Sequence, residues 1–249
     1  MTAARVRRVV TTRAGGRSRP PFASFNLSAG VGDDPAAVRA NRARLRRELG
    51  VPVTFLQQVH GTVVATVSEP SALDDPDIPG TDAAVTATPG LALAVLAADC
   101  VPVLLADPQA GVVGAAHAGR VGAAAGVVPA TIAAMTELGA DVRRLEVLLG
   151  PAVCGACYEV PAAMQAEVEE TLPGSASRTR RGTAGLDIRA GLHRQLAELG
   201  VARIGVDPRC TMEDRDLYSH RREQRTGRLA AVTWFDPGGP AGTGAVSRA

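Results

Sequence analysis

The chain has 249 residues and a mass of 25.5 kDa, room for one large domain or two small ones at roughly 100–200 residues each. With 46% hydrophobic and 21% charged residues it reads as globular, and a body of this size buries about 70% of its unfolded surface without disulfide staples. A net charge of +2 gives no polyanion-binding signal, and 3% aromatics excludes a stacking platform for single strands, so no nucleic-acid partner is expected.

All 27 basic residues are Arg. The absence of Lys removes a Walker-type phosphate Lys, a Schiff-base Lys and a Ser-Lys dyad. Four His with no His-x-His pair exclude a His-rich trinuclear copper centre, and four Cys are too few for a disulfide scaffold. The N-terminal stretch lacks the apolar core of a signal peptide. The longest apolar run, 91–98, falls far short of the roughly 20 residues of a membrane span. A cytoplasmic protein with no membrane contact is the expectation.

In chain order, the pattern predicts a strand over 5–12, then a Gly/Pro/Ser-rich loop over 15–34. Asp34-Pro35 is a helix start, an Asp cap before Pro in the first turn, and the helix should stop at Gly50. Strands are expected over 55–59, 62–67, 82–87, 91–98, 101–106 and 111–116. A helix follows over 122–138, interrupted at Pro129, and then a buried strand over 145–149. Helices over 161–171 and 187–199 flank a long loop at 172–185, and strands over 202–206 and 229–235 close the pattern. The Gly/Ala/Pro-rich stretch 237–249 reads as a flexible tail. Runs of strands beside runs of helices give a mixed α/β (α+β) fold, and no composition shift cuts 1–249 into two domains. No GxGxxG follows a strand, so a dinucleotide phosphate loop is absent.

Three apolar runs end in a metal-capable side chain beside a Gly or Pro: Val59-His60-Gly61, Asp99-Cys100-Val101-Pro102 and Ala116-His117-Ala118-Gly119. Two imidazoles and a thiolate suit Zn²⁺ with one open position, where a bound water is acidified toward a pKa of about 7. The three lie far apart in sequence. The pattern alone leaves open a buried thiol with two hydrogen-bonded imidazoles. Asp99, next to Cys100, is read either as an orienting group or base, or as a turn cap.

Taken in order, Ser24-Phe25-Asn26-Leu27, Gly32-Asp33-Asp34-Pro35 with Asn41-Arg42, Gln58-Val59-His60-Gly61, Ala98-Asp99-Cys100-Val101-Pro102, Ala116-His117-Ala118-Gly119, Cys157-Tyr158-Glu159-Val160, Cys210-Thr211 and Ser219-His220-Arg221-Arg222 with Arg225-Thr226-Gly227-Arg228 resemble the YfiH-like laccase-domain family. The resemblance spans nearly the whole chain. It implies a single mixed α/β domain with sheets sandwiched by helices, and a metal site of His60, Cys100 and His117. The implied activity is metal-dependent phosphorolysis of purine nucleosides (adenosine, inosine, guanosine, methylthioadenosine) together with adenosine deamination. Purine nucleosides and phosphate are then the partners of an expected monomer, and one zinc ion is the cofactor, with copper as the alternative.

Within that reading Cys100, Asp99, His60 and His117 are the catalytic candidates, and Asn41, Arg42, Tyr158, Arg120 and Arg222 the substrate contacts. Many relatives read Gly-Trp-Arg-Gly after the second His. Here the sequence is Gly119-Arg120-Val121-Gly122, which places the guanidinium one position earlier. The zinc-deaminase signature HxE…PCxxC is missing, so deamination would need another site layout. Two other activities stay open: a copper-dependent polyphenol oxidase, and a Cys hydrolase editing peptidoglycan precursors with Cys100 as nucleophile. Cys154-Gly155-Ala156-Cys157 is a CxxC with no second CxxC or HxxxH partner, which sets a redox or zinc motif against a simple place near the site. Arg221, Arg222, Arg225 and Arg228 form a basic cluster, read either as anion capture or as a solvated loop.

Overall fold

A computed structural model describes residues 5–236; the expected tail at 237–249 lies outside the described residues. The three strands read as continuous apolar runs form the centre. They are β5 (Ala92–Ala97), β6 (Val101–Asp107) and β7 (Val112–Ala118), buried at every position. Strands covered on both faces need apolar residues throughout rather than alternation.

Two mixed sheets carry the architecture. With β1 (Arg5–Val10), β2 (Val53–Thr54) and β12 (Leu229–Asp236), one sheet has the order β1-β12-β5-β2. The other joins β3 (Val64–Thr66), β4 (Ala83–Thr86), β8 (Glu146–Leu149) and β11 (Arg203–Val206) to β6 and β7 in the order β11-β8-β6-β7-β4-β3. Leu93, Val95, Ala231 and Phe235 of the first meet Leu104, Ala106, Val113 and Ala115 of the second between the sheets.

Each outer face is covered by helices. α1 (Pro35–Leu49) lays Leu45 against Ala92, Ala94 and Leu96, while α3 (Val127–Glu137) and α5 (Ile188–Glu198) pack Val128, Ile132, Met135, Leu192 and Leu196 against Val103 and Leu105. Odd and even residues of one strand thus serve two different cores. Burying each such Leu or Val contributes about 1.5–3 kcal/mol. The result is the expected mixed α/β domain of sandwiched sheets. No helix among the described residues is long and apolar enough to cross a membrane.

Several expected elements differ. The strand expected over 55–59 is cut to β2 and a single bridge between Leu56 and Ile78, because the backbone of residues 57–61 bonds elsewhere. The helix expected over 122–138 breaks at Gly126, whose φ of 93° ends α2 (Arg120–Ala125) and starts α3. Pro129 falls in the first turn of α3, where a missing N–H costs nothing. The expected loop at 172–185 contains a hairpin of β9 (Ala176–Arg178) and β10 (Ala184–Leu186). It follows α4 (Ala162–Thr171), and a short α6 (His220–Glu223) was not foreseen.

Candidate metal centre and cleft

Strand register brings two of the three candidate ligands together. Pro102 pairs with His117 across β6 and β7, so Cys100 lies one pleat past the strand end on the side shared by Leu104 and Ala106. His117 shares that side with Val113 and Ala115. The site therefore sits at the open end of the space between the sheets.

His60 arrives from the irregular stretch after β2. The Gln58 side chain donates from Nε2 to the Leu96 carbonyl (2.8 Å) and accepts the Leu96 N–H at Oε1 (2.7 Å), completing the edge of β5 as a strand would. His60 itself has φ 63°, and Asp82 accepts the N–H groups of Val59, His60 and Gly61 at 3.1, 2.9 and 2.7 Å. Two glycines make room for this loop. A Cβ on Gly119 would come 2.5 Å from His60 Cδ2, and one on Gly122 would come 2.7 Å from the Gly61 carbonyl.

The ligand atoms of His60, Cys100 and His117 lie within 4.8 Å of one another, with His60 Nε2 3.7 Å from Cys100 Sγ. His117 Nδ1 is 2.8 Å from Asp82 Oδ1, which leaves its Nε2 for the shared centre. Burial pushes the Cys100 thiol up, but the hydrogen bonds and charge of His117 and His60 outweigh it and bring it down to about 6. Burial likewise pushes His117 down, and its bonds to Asp82 and Cys100 carry it up to about 9. An N₂S donor set of this kind fits one borderline-soft divalent ion with an open fourth position.

The triad lines a cleft of about 480 Å³, within the usual range for small-molecule sites. Tyr158, Arg120, His220, Arg221 and Arg228 line it as well, with the Arg221 guanidinium 4.1 Å over the Tyr158 ring. Arg228 donates from Nη1 to the carbonyls of Thr226 and Gly227 and meets no carboxylate among the described residues. Burial pushes its guanidinium below the ordinary value against the pull of Cys100 and Asp99.

Other candidates are used inside the protein. Asp99 lines the cleft, but Oδ1 accepts from Thr211 Oγ1 (2.6 Å) and Oδ2 from the Arg221 N–H (2.7 Å), so it positions α6. Asn41 faces inward as expected, yet its amide binds Ser18, Ser24, Asn26 and Arg17, tying the loop before α1 to the helix. Arg42 forks onto Asp77 at 2.6 and 3.0 Å and donates to the Leu27 carbonyl, so its charge is already met by a carboxylate. Arg222 is spent on the carbonyls of Thr211, Asp214 and Leu217 and on Glu223. None of Asn41, Arg42 and Arg222 lines the cleft. Asp82 was given no role in the sequence, where its only signal was a lone acid opening an apolar strand; Gly119 was read as a strand breaker and not as the space that His60 needs.

Residues 7–236 match the family described as multi-copper polyphenol oxidoreductase laccase, and the chain belongs to that family. It is 57% identical over 237 residues to a purine nucleoside phosphorylase of Mycobacterium tuberculosis, covering 93% of each chain. It is 53% identical to a purine nucleoside phosphorylase of Streptomyces coelicolor, covering 91% of this chain and 94% of that one. Among solved structures, YlmD of Geobacillus stearothermophilus superposes with a TM-score of 0.86 at 34% identity, covering 93% of this chain and 92% of that one. The Bacillus licheniformis protein YfiH gives 0.85 at 29% identity, covering 92% of both chains. The resemblance read from the motifs is thus confirmed, and relatives of this kind make the chain an enzyme.

Proposed function

We propose that the chain is a metal-dependent purine nucleoside phosphorylase working in this cleft. The observation that carries it is a half-buried Arg228 without a carboxylate partner, facing the same cavity as His60, Cys100 and His117. A guanidinium so placed is costly unless an anion meets it, and phosphate oxygens match its fork. Arg228 Nε and Nη2 remain for that contact, with Arg120 at the start of α2 and Arg221 at the cleft wall. The stacked Tyr158–Arg221 pair offers a flat wall to a purine ring.

His60, Cys100 and His117 would hold one Zn²⁺, which when bound supplies Lewis acidity at the reacting group. In phosphorolysis a phosphate oxygen bonds to C1′, the C1′–N9 bond breaks, and the purine leaves with the electron pair. With water directed to the purine C6 instead, a C6–O bond would form, the C6–N6 bond would break, and adenosine would become inosine with release of ammonia. Arg120, Arg221 and Arg228 fix the phosphate.

The test is to purify the chain from unsupplemented medium and assay adenosine with and without phosphate. Adenine and ribose 1-phosphate should appear only with phosphate, and Cys100→Ala should reduce them to background. Full activity in Cys100→Ala, or copper-dependent phenol oxidation without phosphorolysis, overturns the reading. Inosine formation reports the deaminase activity separately.

A second reading rests on one geometric fact: the Cys100 sulfur lies within 4.8 Å of a His117 ring nitrogen, and His117 Nδ1 is 2.8 Å from Asp82, a thiol–imidazole–carboxylate series as in Cys hydrolases. Turnover that survives chelation, with an acyl group trapped on Cys100, would favour it.

A further inference from the structure

We propose that Cys154, Cys157, Cys210 and Glu213 form a second metal site, a closed structural site for Zn²⁺ separate from the cleft triad. Their ligand atoms lie within 4.8 Å of one another. The proposal goes beyond the phosphorylase reading and does not rest on it.

Two turns of the same construction supply the ligands. In the first, the N–H groups of Cys157 and Tyr158 both donate to the Cys154 carbonyl at 2.9 Å. In the second, the N–H groups of Glu213 and Asp214 donate to the Cys210 carbonyl at 3.0 and 2.8 Å. Each turn offers a donor at its first and fourth positions, Cys-x-x-Cys in one and Cys-x-x-Glu in the other. A bridge between Ala152 and Cys210, with the Thr211 N–H donating to the Ala152 carbonyl at 3.2 Å, sets the turns side by side. The facing sulfurs already engage: Cys210 Sγ accepts the Cys154 N–H at 3.4 Å, and Cys157 Sγ lies 3.5 Å from Glu213 Oε1.

The donor set decides the ligand. Three thiolates select a soft or borderline ion, and four ligands complete a tetrahedron with no open position, which is the structural zinc pattern. Cys154 and Cys157 are half-buried and Glu213 is exposed, so an ion has a path in. Arg180 pairs with Glu213 and would offset part of the negative charge of the ligand set.

The placement also gives the ion a purpose. Val153, next to Cys154, donates its N–H to the Asp99 carbonyl at 3.0 Å, and Thr211, next to Cys210, donates to the Asp99 carboxylate at 2.6 Å. Both turns therefore grip the residue that adjoins Cys100, and the first leads directly into Tyr158 of the cleft wall. A bound ion would clamp them together.

The experiment measures zinc by mass spectrometry on protein from unsupplemented medium. The wild type should carry about two zinc per chain, the His60→Ala/Cys100→Ala variant about one, and the same variant with Cys157→Ser and Glu213→Gln none. If only the cleft reading fails, the wild type carries about one zinc, which survives His60→Ala/Cys100→Ala. A zinc-free His60→Ala/Cys100→Ala variant overturns the proposal, as does an intact mass two hydrogens light from a disulfide among the three cysteines. Should the variants fold poorly by circular dichroism, Co²⁺ titration of the metal-free wild type answers the question. Thiolate-to-cobalt absorption of about four Co–S bonds supports the site, and absorption of about one, from Cys100 alone, overturns it.

Discussion

Asp82 Oδ1 lies 2.8 Å from Nδ1 of His117, and the same buried carboxylate accepts the backbone N–H groups of Val59, His60 and Gly61. One acid therefore orients both imidazoles, one through its ring and the other through its backbone. Burial pushes the Asp82 carboxyl up, but His117 and the amides outweigh it and hold it below the ordinary carboxylate range.

Asp82→Asn should uncouple the pair. An amide has one acceptor oxygen and presents an NH₂ to N–H donors that need an acceptor, leaving at least one buried group unsatisfied at a cost on the order of 1–3 kcal/mol. Losing the partner that fixes a metal-binding His typically weakens affinity by about 10–100-fold. Chelator competition reads the affinity and thermal unfolding of the metal-free chain reads the stability. Unchanged zinc affinity would show that packing alone orients His117.

Gly119→Ala tests the close approach directly. The backbone at Gly119 has φ −70°, open to any residue, so the only obstacle is the new methyl, 2.5 Å from His60 Cδ2 and 3.1 Å from Cys100 Sγ. The His60 ring must move away from the shared centre. The expected outcome is a folded protein with unchanged circular dichroism but reduced zinc content and phosphorolysis.

The Cys100 thiol has a measurable pH signature in the metal-free chain. It is brought down to about 6, so it is protonated and inert below that value and a thiolate above it. Cys157 is pushed up to about 12 by burial and by its thiol neighbours, which keeps it a neutral thiol at pH 7. Iodoacetamide should label Cys100 at a rate that rises with pH through about 6, read by peptide mass spectrometry. In Asp82→Asn, His117 loses the carboxylate that raises it, becomes a weaker partner, and the inflection should move to higher pH.

The sequence exposed those parts of the structure that depend on local pattern. β5, β6 and β7 were visible because strands buried on both faces need unbroken apolar residues, and Gly119 marked where β7 stops. Asn41 and Arg42 were correctly turned inward on α1, but the partner of Arg42 is Asp77, a carboxylate remote in sequence, rather than a substrate. Asp82 showed only as a lone acid at the head of an apolar strand, because its four partners lie on two other segments. The β9–β10 hairpin was missed because Ala176, Ser177, Ala184 and Gly185 carry no alternating apolar pattern. The Cys154–Cys157 turn lacked an evident mate because its counterpart ends in Glu213 instead of a second Cys.

Arg228→Gln separates anion capture from metal binding. The amide keeps a polar side chain of similar length but loses the charge and the fork. A charge-assisted bond contributes about 1.5–3 kcal/mol, so KM for phosphate should rise about 10–150-fold. KM for adenosine and the zinc content should stay near wild type, because Arg228 touches none of the three ligands through a hydrogen bond. Arg222→Gln is the control from the same cluster. Its guanidinium holds the carbonyls of Thr211, Asp214 and Leu217, so the loss should lower the unfolding temperature rather than act on phosphate alone. Equal phosphate KM values in wild type and Arg228→Gln would remove the guanidinium from the substrate site.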